Sequence, residues 1–220
     1  MEALTLKLSL LEARILGVLV EKELTVPDIY PLSLNALTAG CSQKNNRNPV
    51  LNTSEVDVQA AVDRLIPRSL VIESSGSRVM RYSQNIGRVL KVPSEAVALL
   101  AALWLRGPQT AAELRATTER LHRFADVSSV EGFLTQLAER SLESGGPLVR
   151  LLPRASGARE PRWIDLRSPA AEPAQAAATR QQDVGTPPAL DWRAEVEQLR
   201  ADLQALRERV QQLENRNPID

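Results

Sequence analysis

Arg150, Arg154, Arg159 and Arg162 crowd one short stretch of the 220-residue chain, with only Glu160 among them to offset their charge. Guanidinium groups are planar donors that match phosphate oxygens. A loop carrying several of them can lie along a nucleic-acid backbone or enter a minor groove. Two smaller basic groups accompany this one. Lys44 and Arg47 stand in the polar run QKNNRNPVLN, where Asn45, Asn46 and Asn48 add amide donors for phosphate contact. Arg78 and Arg81 lie between two short apolar runs. Gln59 and Arg64, on a segment of helical periodicity, have the donor and acceptor geometry to read base edges. These ten residues are the candidate DNA-binding set.

Charge elsewhere argues the other way. Formal net charge is zero, without the basic excess usual in nucleic-acid-binding domains. The two segments expected to enter a major groove are acidic. Glu55, Asp57 and Asp63 outweigh Arg64 and Arg68 in the first, and Glu131 and Glu139 outweigh Arg140 in the second. Carboxylates facing phosphates repel them, which leaves a protein partner as the alternative use of the same elements.

Catalytic chemistry finds no foothold. The chain has no GxxxxGK[ST], HExxH, CxxC or GxSxG pattern. One cysteine and one histidine cannot supply a three- or four-ligand zinc site in one chain. His122, in the polar stretch LHRFAD, has no visible partner base and reads as a surface or packing histidine. Cys41 falls on the apolar side of an expected helix and reads as a small buried hydrophobe. No catalytic residue, metal ligand or cofactor is expected.

The elements that must position the basic groups come in two rounds. Ser9 and Glu12 form a candidate capping box for a first helix that ends near Glu23, with Leu11, Ile15, Val18 and Leu19 on one stripe. Ser33 can cap a second helix carrying Leu34, Leu37 and Cys41. Ser54 and Asp57 can start a third, with Val58, Ala61, Val62 and Leu65 inward. Val71–Ser74 and Val79–Gln84 then read as a hairpin around Gly76. The second round places helices over Pro93–Arg106, Thr110–Thr118 and Ser128–Arg140. Strands over Leu148–Leu152 and Trp163–Leu166 close it. Superposed without a gap, Val58, Val62, Leu65, Arg68, Ser69 and Leu70 fall on Val130, Leu134, Leu137, Arg140, Ser141 and Leu142. Three helices followed by a strand–loop–strand is the order of a winged helix. The expected fold is mainly α with small β-hairpins: winged-helix domains at 6–90 and 91–167.

An Ala- and Pro-rich stretch, 168–190, reads as a disordered linker. Residues 191–215 read as a coiled-coil helix. Trp192, Val196, Leu199, Leu203, Leu206, Val210 and Leu213 alternate spacings of four and three, an a/d seam. In a parallel dimer the pairs Glu195–Arg200, Asp202–Arg207 and Arg209–Glu214 are all attractive, so self-association through this seam is expected. The other reading is a helix folded back on a winged domain. The apolar run Ile15–Val20 is short and hemmed by charges, unlike a secretory signal, and no stretch reaches the roughly 20 apolar residues of a membrane span. The chain reads as cytoplasmic, with no membrane partner.

The run TVPDIYPLSLNALTAGCSQKNNRNPVLNTSEVDVQAAVDRL, Thr25–Leu65, resembles the signature of the bacterial YceH-like family, a domain of unknown function. The likeness continues through GSRVMRY, VPSEAVALL and RGPQTAAELR and covers nearly the whole chain. It implies a tandem winged-helix protein of the bacterial cytosol and brings no established catalytic residues. Residues and resemblance together lead to two expectations. The first is a non-enzymatic regulator that binds double-stranded DNA. The second is a protein–protein interaction scaffold built on the same domains.

Overall fold

The computed structural model describes residues 6–75, 79–154, 156–157, 159–169 and 204. The chain divides into two units, 1–173 and 174–220. Arg78 and the seam residues Trp192, Val196, Leu199, Leu203, Leu206, Val210 and Leu213 lie outside the described residues, as does the linker beyond Pro169.

Among the described residues the first unit is mainly helical, with two small antiparallel sheets. Helix α1 (Leu10–Thr25) opens with a capping box: Ser9 Oγ accepts from Glu12 N at 3.1 Å, and Ser9 N donates to Glu12 Oε2 at 2.8 Å. Strand β1 (Leu32–Ser33) runs directly into α2 (Leu34–Cys41), capped by Ser33. Helix α3 (Glu55–Leu65) starts on a second capping box, Ser54 with Asp57. Strands β2 (Val71–Ser74) and β3 (Arg81–Gln84) form the hairpin, and β3 lies between β1 and β2. A short helix, α4 (Ile86–Leu90), leads out of this half and was not anticipated.

The second half repeats the order. Helices α5 (Ser94–Arg106), α6 (Ala111–Thr118) and α7 (Val127–Ala138) precede β4 (Val149–Leu151) and β5 (Trp163–Asp165). Thr110 and Glu113 make the capping box of α6. In place of β1 there is a single bridge, in which Gln109 and Trp163 exchange main-chain bonds at 3.1 and 2.7 Å. Two further pairs of main-chain bonds match between halves. Leu70 N donates to Leu65 O and Asn85 N to Leu70 O; Leu148 N donates to Leu137 O and Leu166 N to Leu148 O.

That correspondence corrects the ungapped superposition at one point. Leu70 is fully buried, whereas Leu142 is 76% exposed, and Leu148 takes the buried place instead. The reason is a short 3-10 turn, Leu142–Ser144, closed by Gly145 and Gly146 in left-handed backbone. It lengthens the corner after α7.

One hydrophobic core runs through both halves, from Leu8 to Trp163. Helices α1 and α5 pack along each other at its centre, and both are buried on all sides over most of their length. The approach is close because Gly17 has no side chain. A Cβ there would stand 2.9 Å from Leu105 Cγ and 3.3 Å from Ala101 O. Gly40 gives α2 the same access to α1, where a Cβ would meet Val18 Cγ1 at 2.6 Å. No helix among the described residues is long and apolar enough to cross a membrane.

Candidate nucleic-acid interface

The loop between α2 and α3 was expected to offer Lys44 and Arg47 to phosphates. Lys44 is exposed, but Arg47 is 6% exposed and faces inward. Its Nε donates to Gly40 O at 3.3 Å, its Nη1 to Asn46 O at 3.0 Å, and its Nη2 to the Glu21 carboxylate and to Gln43 Oε1. Arg14 of α1, wholly buried, reaches the same loop from below and donates to Cys41 O at 3.3 Å and Pro49 O at 2.6 Å. Burial, then the like charge of Arg47, lowers the Arg14 pKa, although a guanidinium stays charged in a protein. Asn48 N donates to Leu105 O at 2.8 Å, tying the loop to the end of α5. The loop is therefore an internal brace held by two buried arginines. Glu21, the partner of Arg47, sits on another helix 26 positions away, which no local pattern shows.

The two candidate base readers are engaged as well. Gln59 donates to Asp63 Oδ1 at 2.7 Å and accepts from Tyr82 OH at 3.0 Å. Arg64 Nε donates to Glu12 Oε1 at 2.8 Å, while its side chain remains 53% exposed. Burial raises the Glu12 pKa, but the Ser9 N–H, Arg64 and Arg68 outweigh it and hold the carboxyl below its ordinary value. In the first hairpin, Arg81 Nη1 donates to Pro31 O at 2.8 Å.

The second hairpin is different. Arg150 on β4 and Arg154 and Arg159 in the loop to β5 are all exposed, with no side-chain hydrogen bond among the described residues. Arg162 is the exception: it makes a bidentate pair with Glu113, at 2.7 and 2.8 Å, and donates to Pro108 O at 2.8 Å. The capping box of α6 thus neutralises one of the four arginines and fixes the hairpin base to the start of that helix.

Sequence reasoning passed over a further basic group, Arg115, Arg120 and Arg123, on α6 and in the turn that leads to α7. All three are exposed, and Arg115 Nη2 donates to Ala125 O at 3.1 Å. Their position between a second and a third helix was the available signal, masked by Glu119 and Asp126 in the same turn. His122 packs edge-on against Phe124, with ring centroids 4.7 Å apart, a packing role.

The outward face of α3 carries Glu55, Asp57 and Asp63 together with Val56, which is 78% exposed. Asp57 and Asp126 both have lowered pKa values, because Ser54 and Ser129 donate to their carboxylates at the starts of α3 and α7. Cys41 is fully buried and free, and burial pushes its thiol up to about 12. The described residues contain no group of three His, Cys, Asp or Glu side chains placed to hold a metal ion.

Residues 8–158 match the family described as protein of unknown function, DUF480. Several bacterial UPF0502 proteins are similar over most of their length. That of Leptothrix cholodnii is 64% identical over 163 residues, covering 74% of this chain and 72% of the relative. That of Cupriavidus necator is 56% identical over 204 residues, covering 93% and 82%. One from Burkholderia pseudomallei is 53% identical over 216 residues, covering 97% and 91%.

Proposed function

The chain belongs to the DUF480 family, the uncharacterised bacterial family to which its YceH-like signature pointed, and we propose that it is a cytoplasmic, non-enzymatic, DNA-binding regulator. Its fold is read as two winged helices, over 6–90 and 91–167. The order α1, β1, α2, α3, β2, β3, with β3 between its partners, supports the first. The matching order around the Gln109 bridge supports the second. Fold likeness alone does not carry function.

The observation that carries the DNA reading is the second hairpin. Arg150, Arg154 and Arg159 stay exposed there and unpaired among the described residues, whereas Arg47 is buried and Gln59, Arg81 and Arg162 are hydrogen-bonded to other parts of the protein. The contact is to the backbone, through this hairpin and the Arg120–Arg123 turn, with α3 and α7 making little direct readout of bases. Anisotropy of a labelled duplex at about 50 and 200 mM salt tests it, since each lost phosphate contact lowers the slope of log affinity against log salt by about 0.9. Arg154→Ala with Arg159→Ala should lower that slope accordingly. An unchanged slope would remove the hairpin from the interface.

The face of α3 favours a second reading, a scaffold for protein partners. Val56 stands exposed among carboxylates, a surface that repels phosphate and offers an apolar anchor. Absence of duplex binding by the wild type at low salt would put this reading first.

The tail seam from Trp192 to Leu213 is proposed to make the protein a parallel dimer. Leu199→Asp with Leu206→Asp would place unpaired charges in a dry seam. Sedimentation should find a dimeric wild type and a monomeric variant. A monomeric wild type, or a variant still dimeric, would place the tail elsewhere.

A further inference from the structure

Where the corner after α3, helix α4 and the corner after α7 meet the segment before α1, they surround an opening of about 550 Å3. That volume lies within the roughly 300–1,000 Å3 of small-molecule sites. Its lining includes Lys7, Arg68, Arg140 and Arg167 and no carboxylate. Leu6, Pro67, Val89, Leu90 and Leu148 supply apolar wall.

The three guanidiniums are hydrogen-bonded mainly to neutral groups. Arg68 Nη1 donates to Lys7 O at 2.9 Å. Arg140 Nη2 donates to Leu90 O at 2.7 Å and to Ser144 O. Arg167 Nη2 donates to Gly145 O at 2.6 Å. Carbonyls satisfy donors but do not cancel charge. Two carboxylates stand beside these arginines: Glu12, 3.9 Å from Arg68, also holds Arg64 and the Ser9 N–H, and Asp165, beside Arg167, accepts from Ser168 N through Oδ2 while its buried Oδ1 has no hydrogen-bond partner. Arg167 is 7% exposed, and its Nε and that of Arg140 have no hydrogen-bond partner. A guanidinium bonded to carbonyls keeps its charge, and an oxyanion in the opening is the partner that offsets it.

We propose that this opening binds an organic oxyanion with an apolar body, its carboxylate or phosphate head among Arg68, Arg140 and Arg167 and its body along Val89, Leu90 and Leu148. The site touches the base of the second hairpin through Leu148 and Arg167 but includes none of Arg150, Arg154 and Arg159, and it does not depend on DNA binding. It would give the protein a small-molecule effector.

The test uses the full chain and 8-anilinonaphthalene-1-sulfonate as a fluorescent probe, displaced by decanoate, decyl phosphate, decanol or inorganic phosphate. Decanoate or decyl phosphate should displace the probe and raise the melting temperature. Decanol should compete about tenfold more weakly, for want of the charged contact, and inorganic phosphate should not compete. Arg68→Gln should weaken decanoate about tenfold and leave decanol unchanged. Val89→Trp, which fills the opening without removing a charge, should abolish probe binding, with melting curves confirming that both variants fold. Equal competition by decanol and decanoate in the wild type would overturn the proposal, whatever the variants do. So would displacement by inorganic phosphate alone, or decanoate binding that survives Val89→Trp.

Discussion

Arg68 and Arg140 make the same contact in the two halves of the molecule. Each guanidinium donates to a main-chain carbonyl three residues before the first long helix of its half, Arg68 to Lys7 at 2.9 Å and Arg140 to Lys91 at 3.5 Å. The corner after the third helix is thereby pinned to the entrance of the first. Arg140 carries more of this load, since it also holds Leu90 O at 2.7 Å and Ser144 O.

Arg140→Ala should therefore destabilise more than Arg68→Ala. Hydrogen bonds to charged groups contribute about 1.5–3 kcal/mol each, and exposure discounts them. The expected losses are about 2–3 kcal/mol for Arg140→Ala and about 1 kcal/mol for Arg68→Ala. Urea denaturation measures both. Equal losses would mean that the two corners do not share this device unequally as the bonds suggest.

Much of the local structure was legible because it is written locally. Ser9 with Glu12 and Ser54 with Asp57 lie three residues apart, and each marks a helix start. The stripe through Val58, Val62 and Leu65 is buried, as its period requires. What escaped depends on partners distant in sequence. Arg47 looks like a surface cation until Glu21 on α1 is placed beside it, and Arg64 until Glu12 is. The equivalence of Leu148 to Leu70 was hidden by a lengthened corner, which a gap-free comparison cannot see. The Gln109–Trp163 bridge is too short to leave a strand signal at all.

The α1–α5 contact sets a second expectation. Gly17→Ala places a methyl group 2.9 Å from Leu105 Cγ, so the helices must part or Leu105 must move. Overpacking of this kind costs about 1–3 kcal/mol. Leu105→Ala opens space at the same point, so the double variant should lose less than the sum of the two single variants. Additive losses in thermal denaturation would show that Gly17 and Leu105 do not compete for one space.

Cys41 gives a kinetic check on the first half. A thiol pushed up to about 12 by burial offers almost no thiolate at neutral pH. Its labelling by a disulfide reagent should be slow in the native protein and immediate in denaturant. Fast native labelling would place Cys41 at the surface and undo the packing of α2 on α1.

Glu12 sets a pH dependence whose sign is fixed. Its carboxyl is 3% exposed as a residue, yet its pKa is lowered. Burial alone would raise it, and the Ser9 N–H, Arg64 and Arg68 together overcome that. A carboxylate with a depressed folded-state pKa adds stability above its unfolded value, about 4.3 for glutamate, and loses it as pH falls through the lower folded value. Glu12→Gln removes the charge at every pH and leaves Arg64 and Arg68 without their anion. The variant should be less stable than the wild type by about 2 kcal/mol at pH 7. That gap should hold above the unfolded value, narrow as pH falls below it, and close once the wild-type carboxyl, whose folded-state pKa is lowered, itself takes up a proton. Urea midpoints at several pH values across this range measure it. A gap that stays constant into acid would assign the loss to the altered shape of the cap at Ser9. A gap that closes would assign it to the charge shared among Glu12, Arg64 and Arg68, the contact that ties α1 to α3 and to the corner beyond it.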